Sequence, residues 1–138
     1  MDIKKWVIGG ITGGVLYFLL GWLIYGMLLK SFMEGHAGAA GNVFREPDML
    51  YLAIGNLAMG FAVAYIMLKA NVSSMAGGFV TAGIFGLLIG IGYDCMVYAT
   101  STVMSKTAMA ADVAASTVMT AIVGGVVAMV MNMGKKAA

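Results

Sequence analysis

Four long apolar runs separated by short polar breaks dominate the chain. Trp6 to Leu29, Met49 to Leu68, Ala70 to Tyr93 and Val113 to Gly134 carry no charged side chain. A helix needs about 20 apolar residues to cross a hydrocarbon core about 30 Å thick, and each run reaches that length. The third run reads on past Asp94 to Ala99, and the fourth begins before Asp112. The pattern predicts an all-α integral membrane protein, an antiparallel four-helix bundle with spans at about 6–29, 48–69, 75–99 and 107–134. Residues 1–138 then form a single transmembrane domain. Lys4 and Lys5 ahead of the first run, with Ala37-Gly38-Ala39 after it, have the look of a secretory leader. A leader's apolar region runs about 7 to 15 residues, so this longer run reads as a retained helix.

The breaks supply the stops and starts. Lys69 to Ser74 predicts a tight turn in which Ser73 or Ser74 caps the third helix. Ala99 to Lys106 predicts a short Ser/Thr-rich turn. Residues 30–48 predict a longer loop, rich in Gly and Ala, that ends in Glu46-Pro47-Asp48, a helix-start signature with acids at the positive end of the dipole.

Composition sharpens the membrane assignment. The chain is 62% hydrophobic and 10% charged, whereas soluble domains are about half apolar and about a quarter charged. A soluble protein of 138 residues could not hide so much apolar surface in one core. The bilayer is therefore the expected partner. A net charge of +2, with no basic stripe, gives no reason to expect nucleic acid.

The placement of basic residues sets the orientation. With the N-terminus inside, Lys4, Lys5, Lys69, Lys135 and Lys136 lie inside, and Lys30, Arg45 and Lys106 lie outside. N-in and C-in is the expected topology. Tyr51, Tyr98, Phe32 and Phe44 then fall near the outer boundary and Trp6 near the inner one, as interfacial anchors do.

The 20 glycines and single proline suit helices that pack closely in lipid. Gly9-xxx-Gly13, Gly10-xxx-Gly14 and Gly86-xxx-Gly90 mark packing surfaces, either inside the bundle or in a homo-oligomer. A thin 68-residue correspondence links Gly9-Gly10 and Tyr25 to Gly77-Gly78 and Tyr93; chance explains it better than a repeat does.

Polar residues inside the spans carry the functional question, because a charge near the middle of a span persists only against a partner or water. Asp94 and Asp112 each lie nine residues from Val103, the centre of the third turn. That brings the two carboxylates level on neighbouring helices, roughly 12 Å inside the turn at 1.5 Å per residue. Counting in from the other helix ends adds Asn56 and Trp22 to the same layer, with Tyr25 one turn outward. Asp112, Ser116 and Thr120 form a stripe on the fourth helix, and Gly90, Asp94 and Tyr98 share a face on the third. Asp94, Asp112, Asn56, Ser116, Tyr98, Trp22 and Tyr25 are thus the candidate ligand- or ion-binding residues. Two carboxylates at one depth in low dielectric cannot both ionise cheaply, so the pair would carry a proton or bind a cation. The competing expectation is that Asp94 bonds Asn56, Tyr93 or Tyr98 as buried glue, while Asp112 sits in headgroup water.

Other candidates are weaker. Glu34-Gly35-His36 with Glu46 and Asp48 shows no metal-ligand spacing, and His36 reads as an exposed histidine. Cys95 is the only cysteine, so there is no intramolecular disulfide and no redox pair; it reads as a small buried residue. The 14 methionines, among them Met104, Met109, Met119, Met129, Met131 and Met133, form no ladder and read as adaptable packing. No metal centre, cofactor or catalytic constellation is expected, and the chain does not read as an enzyme.

Several segments carry a resemblance. Tyr17-Phe18-Leu19-Leu20-Gly21-Trp22-Leu23-Ile24-Tyr25-Gly26, then Glu46-Pro47-Asp48 leading into Gly55-Asn56-Leu57-Ala58-Met59-Gly60, and Tyr93-Asp94 with Tyr98-Ala99-Thr100 resemble the first three helices of small uncharacterised four-helix bacterial membrane proteins. That family is a domain of unknown function; the resemblance implies its fold and a multi-pass place in the bacterial inner (cytoplasmic) membrane, and no activity. Small multidrug exporters carry a glutamate in the first helix, which this chain lacks, and quinone-linked thiol oxidoreductases need cysteine pairs. Fluoride channels differ in their asparagine and phenylalanine pattern.

The expectation is therefore a membrane protein that binds or translocates a small cation, proton or amphiphile at a polar layer in the outer half. The alternative is a non-catalytic structural or assembly subunit of a membrane complex. A homo-oligomer would use Gly9, Gly10, Gly13, Gly14, Gly86 and Gly90.

Overall fold

The computed structural model describes residues 1–41 and 43–134. Helices α1 (Ile3–Leu23), α3 (Met49–Lys69), α4 (Met75–Thr100) and α5 (Lys106–Asn132) are the long elements, with a short α2 (Lys30–Gly35) after the first. A single π turn, Ile24–Leu28, prolongs α1, so the first span runs Ile3–Leu28. All four spans are long and apolar enough to cross a membrane. The expected loop 30–48 is only partly a loop, because its first six residues form α2.

Each start has a local cause. Asp2 caps α1 by accepting from the Lys5 N–H at 3.1 Å. Asp48 caps α3 by accepting from the Leu50 and Tyr51 N–H groups. Ser74 caps α4 through the Gly77 N–H and Ser105 caps α5 through the Ala108 N–H. These side chains satisfy donors that the first helical turn leaves free. Helix α3 stops in a Schellman arrangement: Asn71 takes a positive φ of 52°, and the Asn71 and Val72 N–H groups reach back to the Leu68 and Met67 carbonyls. Asparagine tolerates that left-handed backbone better than most residues.

Helices α4 and α5 pack most extensively on each other, as do α1 and α3, and α5 also meets α1 and α3. Helix α3 barely touches α4. The bundle is thus two hairpins joined through α5, the helix with the most buried residues. Lipid tails are as apolar as leucine, so close backbone approach and interhelical polar contacts hold such hairpins together.

Glycine makes both approaches possible. A Cβ on Gly13 would stand 2.9 Å from the Gly60 Cα, and Gly10 receives the Phe61 ring. Trp6 closes that seam, donating its indole N–H to the Phe61 carbonyl at 3.0 Å and meeting the Phe61 ring edge-on. Trp6 is therefore a seam residue. In the other hairpin Gly78 faces Ala128 and Ala82 faces Gly124. Gly9, Gly10, Gly13, Gly14 and Gly86 are all buried within the chain.

The core lies in the half of the bundle nearer the chain termini. Val63, Ala64, Met67, Ala82, Val123, Val127, Ala128 and Met131 cluster there, with Tyr17 at mid-span. In the loop-side half, Asp94 and Ala108 are the buried side chains among the described residues. At that end the segment after α2 is strapped to the α4–α5 turn. Ala37 and Met104 form an antiparallel bridge, Ala40 donates to the Thr102 carbonyl at 3.0 Å, and Ser105 donates its hydroxyl to the His36 carbonyl.

Candidate functional site

The α4–α5 hairpin places the acids. Every four residues along α4 meet a step of four back along α5: Gly78 with Ala128, Ala82 with Gly124, Gly86 with Thr120, and Gly90 with Ser116. The next step is Asp94 with Asp112, whose carboxyl groups lie close enough for each to feel the other's charge. Steps of four stay on one helix face, so the glycines that let the helices close also bring the two acids together.

Burial divides the pair. Asp94 is 1% exposed, and its Oδ2 has no hydrogen-bond partner. Asp112 is partly exposed. Buried polar atoms are nearly always paired, and a buried carboxylate oxygen without a partner carries its full desolvation cost. No Lys, Arg or His lies on the spans between Trp6 and Leu28, Met49 and Leu68, Met75 and Thr100, or Thr107 and Asn132. Basic side chains stand only at the span ends, and none pairs with either acid among the described residues.

Helix α1 supplies a third group. The Tyr25 hydroxyl stands 3.5 Å from the Asp112 backbone carbonyl and interacts with the Asp112 carboxyl and the Ser116 side chain. Tyr25 lies in the π turn, where the Leu29 N–H reaches back five residues to Ile24 at 2.7 Å. Eight α-helical steps from Tyr17 would overshoot two full turns, and the wider π turn carries Tyr25 back toward the face that Tyr17 occupies. Below this cluster Tyr17 donates to the Thr120 Oγ1 at 3.0 Å in a buried contact. A column of oxygen atoms runs from Asp94 and Asp112 through Ser116 to Thr120 and Tyr17, and the Gly/Ala/Val core follows.

The hydroxyls beside the acids are loosely held. Ser116 donates to the Val113 carbonyl at a long 3.3 Å, an oxygen that Thr117 already engages at 2.6 Å. Away from the site, Thr100 and Ser101 bond their own helix at 2.7 Å. Ser116 and Tyr25 can turn toward a ligand at little cost.

Of the seven sequence candidates, the structure gathers Asp94, Asp112, Ser116 and Tyr25. Trp22 points away and is 63% exposed. Asn56 gives its amide to its own helix, donating to the Leu52 carbonyl at 2.7 Å. Tyr98 shares the helix face of Asp94 but is 38% exposed near the end of α4. The fourfold layer is therefore corrected to a cluster on α1, α4 and α5, because α3 leans on α1 and not on α4. Asp94 bonds none of Asn56, Tyr93 and Tyr98.

The remaining candidates resolve as follows. Cys95 is exposed rather than buried, since the position after Asp94 turns about 100° from the packed face. His36 is held by its own loop, with Nδ1 2.8 Å from the Phe32 carbonyl and its ring stacked on Phe32. Asp48 is taken up in capping and lies 3.7 Å from Arg45. Met67 and Met131 fill the core, whereas Met129 and Met133 are exposed. Tyr17 was not singled out by the sequence, although its place opposite Thr120 follows from the polar stripe on α5. The π turn has no sequence signal. Comparison of the chain with known protein families, with curated proteins and with solved structures finds no match.

Proposed function

We propose that this chain binds a proton or small cation at Asp94 and Asp112 and carries it through the membrane. One observation bears most of the weight: Asp94 is sealed inside a spanning bundle with an unpartnered carboxylate oxygen, facing a second carboxyl, and no basic side chain pairs with either acid among the described residues. Intramembrane acids of this kind mark ion or proton paths. The loop-side half is sparsely packed, which supports entry from that end. The Tyr17–Thr120 contact and the dense glycine seams beneath it close the way onward, so passage requires the two hairpins to part around α5.

The alternative role, a structural subunit, predicts a fully bonded Asp94 and glycines turned outward. It draws less support, because Asp94 Oδ2 is unbonded and the GxxxG glycines are spent inside the chain. A homo-oligomer, also proposed from the sequence, would be built on other faces. The bacterial inner membrane and the N-in, C-in topology belong to this same reading; they rest on the family resemblance and on the lysine distribution.

The test is reconstitution into sealed vesicles containing a pH-sensitive dye, with a proton or cation gradient imposed. Flux by the intact protein, lost in both Asp94→Asn and Asp112→Asn, is the expected result. Flux unchanged in both variants would refute the assignment.

A further inference from the structure

Resting on that reading, we infer that the Asp94–Asp112 site takes a hard divalent cation, of the Mg2+, Mn2+ or Ca2+ class, with Ser116 and Tyr25 as supporting oxygen ligands. Every polar side chain that the packing brings to the site offers oxygen: two carboxyls from Asp94 and Asp112, and hydroxyls from Ser116 and Tyr25. The chain's one thiol, Cys95, turns outward, and His36 is held within its own loop. Soft and borderline metals select thiolate or imidazole, whereas oxygen-only sets select hard cations.

Charge then selects valence. Two ionised carboxylates carry two negative charges that no basic side chain pairs with among the described residues. A monovalent ion leaves one of them uncompensated in low dielectric, while a dication neutralises both and bridges them. The partial exposure of Asp112 beside the buried Asp94 leaves one side open to water, which such ions retain in their shells. Asp94 Oδ2, buried and without a partner, supplies the independent sign of a missing ligand. The long contacts of Ser116 and Tyr25 supply the slack needed to reach it. Loading exchanges protons for the metal: any O–H bond on the pair breaks, a metal–oxygen contact forms, and the proton leaves to water on the loop side.

The experiment uses the full chain in nanodiscs of uncharged-headgroup lipid, at fixed ionic strength. Binding of Mn2+ is followed by its electron paramagnetic resonance and by calorimetry, with Mg2+, Ca2+, Na+ and K+ as competitors. One saturable Mn2+ site per chain is expected, displaced by Mg2+ or Ca2+ and not by Na+ or K+. Loss of a supporting group around a metal weakens binding about 10- to 100-fold, and Asp94→Asn and Asp112→Asn, which remove the charged ligands, should each exceed that range. Tyr25→Phe and Ser116→Ala should show smaller losses, with helical circular dichroism confirming that each variant folds. Binding of Na+ alone, or no metal binding while vesicle proton flux still depends on both acids, would overturn the divalent assignment and leave the transport reading standing. No binding together with flux indifferent to both acids would remove the two together.

Discussion

The Tyr17 hydroxyl donates to the Thr120 Oγ1 at 3.0 Å, joining α1 to α5 where the polar column ends and the dry core begins. It is the one hydrogen bond between side chains of the two hairpins among the described residues. Tyr17→Phe should destabilise the protein by roughly 1 kcal/mol, the usual net worth of a hydrogen bond in such settings. Denaturant titration in mixed micelles measures this. Thr120→Val together with Tyr17→Phe should cost less than the two single changes added, because no lone hydroxyl is then left buried.

Gly60 and Gly55 lie on the same helix in opposite circumstances. A Cβ on Gly60 would run into the backbone of α1, whereas nothing lies within 4 Å of one on Gly55. Gly60→Ala should therefore cost at least about 2 kcal/mol through overpacking. Gly55→Ala should be neutral or improve stability by up to about 1 kcal/mol from helix propensity. Equal effects in a thermal melt would contradict the seam described for α1 and α3.

Asp94 offers a test in which stability and function move in opposite directions. Removing a buried charge without a partner relieves its desolvation cost, and apolar replacement of such groups is often neutral or stabilising. Asp94→Leu should be at least as stable as the parent in metal-free buffer, yet bind no cation. A large loss of stability would return Asp94 to the role of structural glue.

Gly38 fixes the strap at the loop end. A Cβ there would overlap the Thr102 carbonyl and stand 2.7 Å from the Met104 N. Gly38→Val should detach the segment around Ala37 from the α4–α5 turn. The backbone amide hydrogens at position 38 and at Ala40 should then exchange much faster than in the parent, while helix amides in the core half keep their protection.

The level placement of the two acids was legible in the sequence for a geometric reason. A short turn fixes the register of a helical hairpin, so residues equidistant from Val103 had to lie level, and the shared stripe with Ser116 and Thr120 indicated the facing side. The same counting failed for Trp22 and Asn56 because depth says nothing about direction around a helix. Trp22 is five residues beyond Tyr17, about 140° around the helix, and so faces lipid. Asn56 fell outside the cluster because α3 and α4 hardly meet, a fact of tertiary packing that no local pattern encodes. Tyr25 was recognised as a candidate, but the π turn that aims it was not, since Ile24 to Leu28 reads as ordinary apolar helix.

The four-residue pairing of α4 with α5 has a further consequence. Inserting or deleting one residue within α4 after Gly90, or within α5 before Ser116, would swing the helix beyond that point by about 100° relative to its partner. Bulky neighbours would then fall where only hydrogen or a methyl fits, and the acids would part. The length of those two helical stretches is as heritable a property of the site as the carboxylates themselves, and homologous chains should vary there in composition before they vary in count.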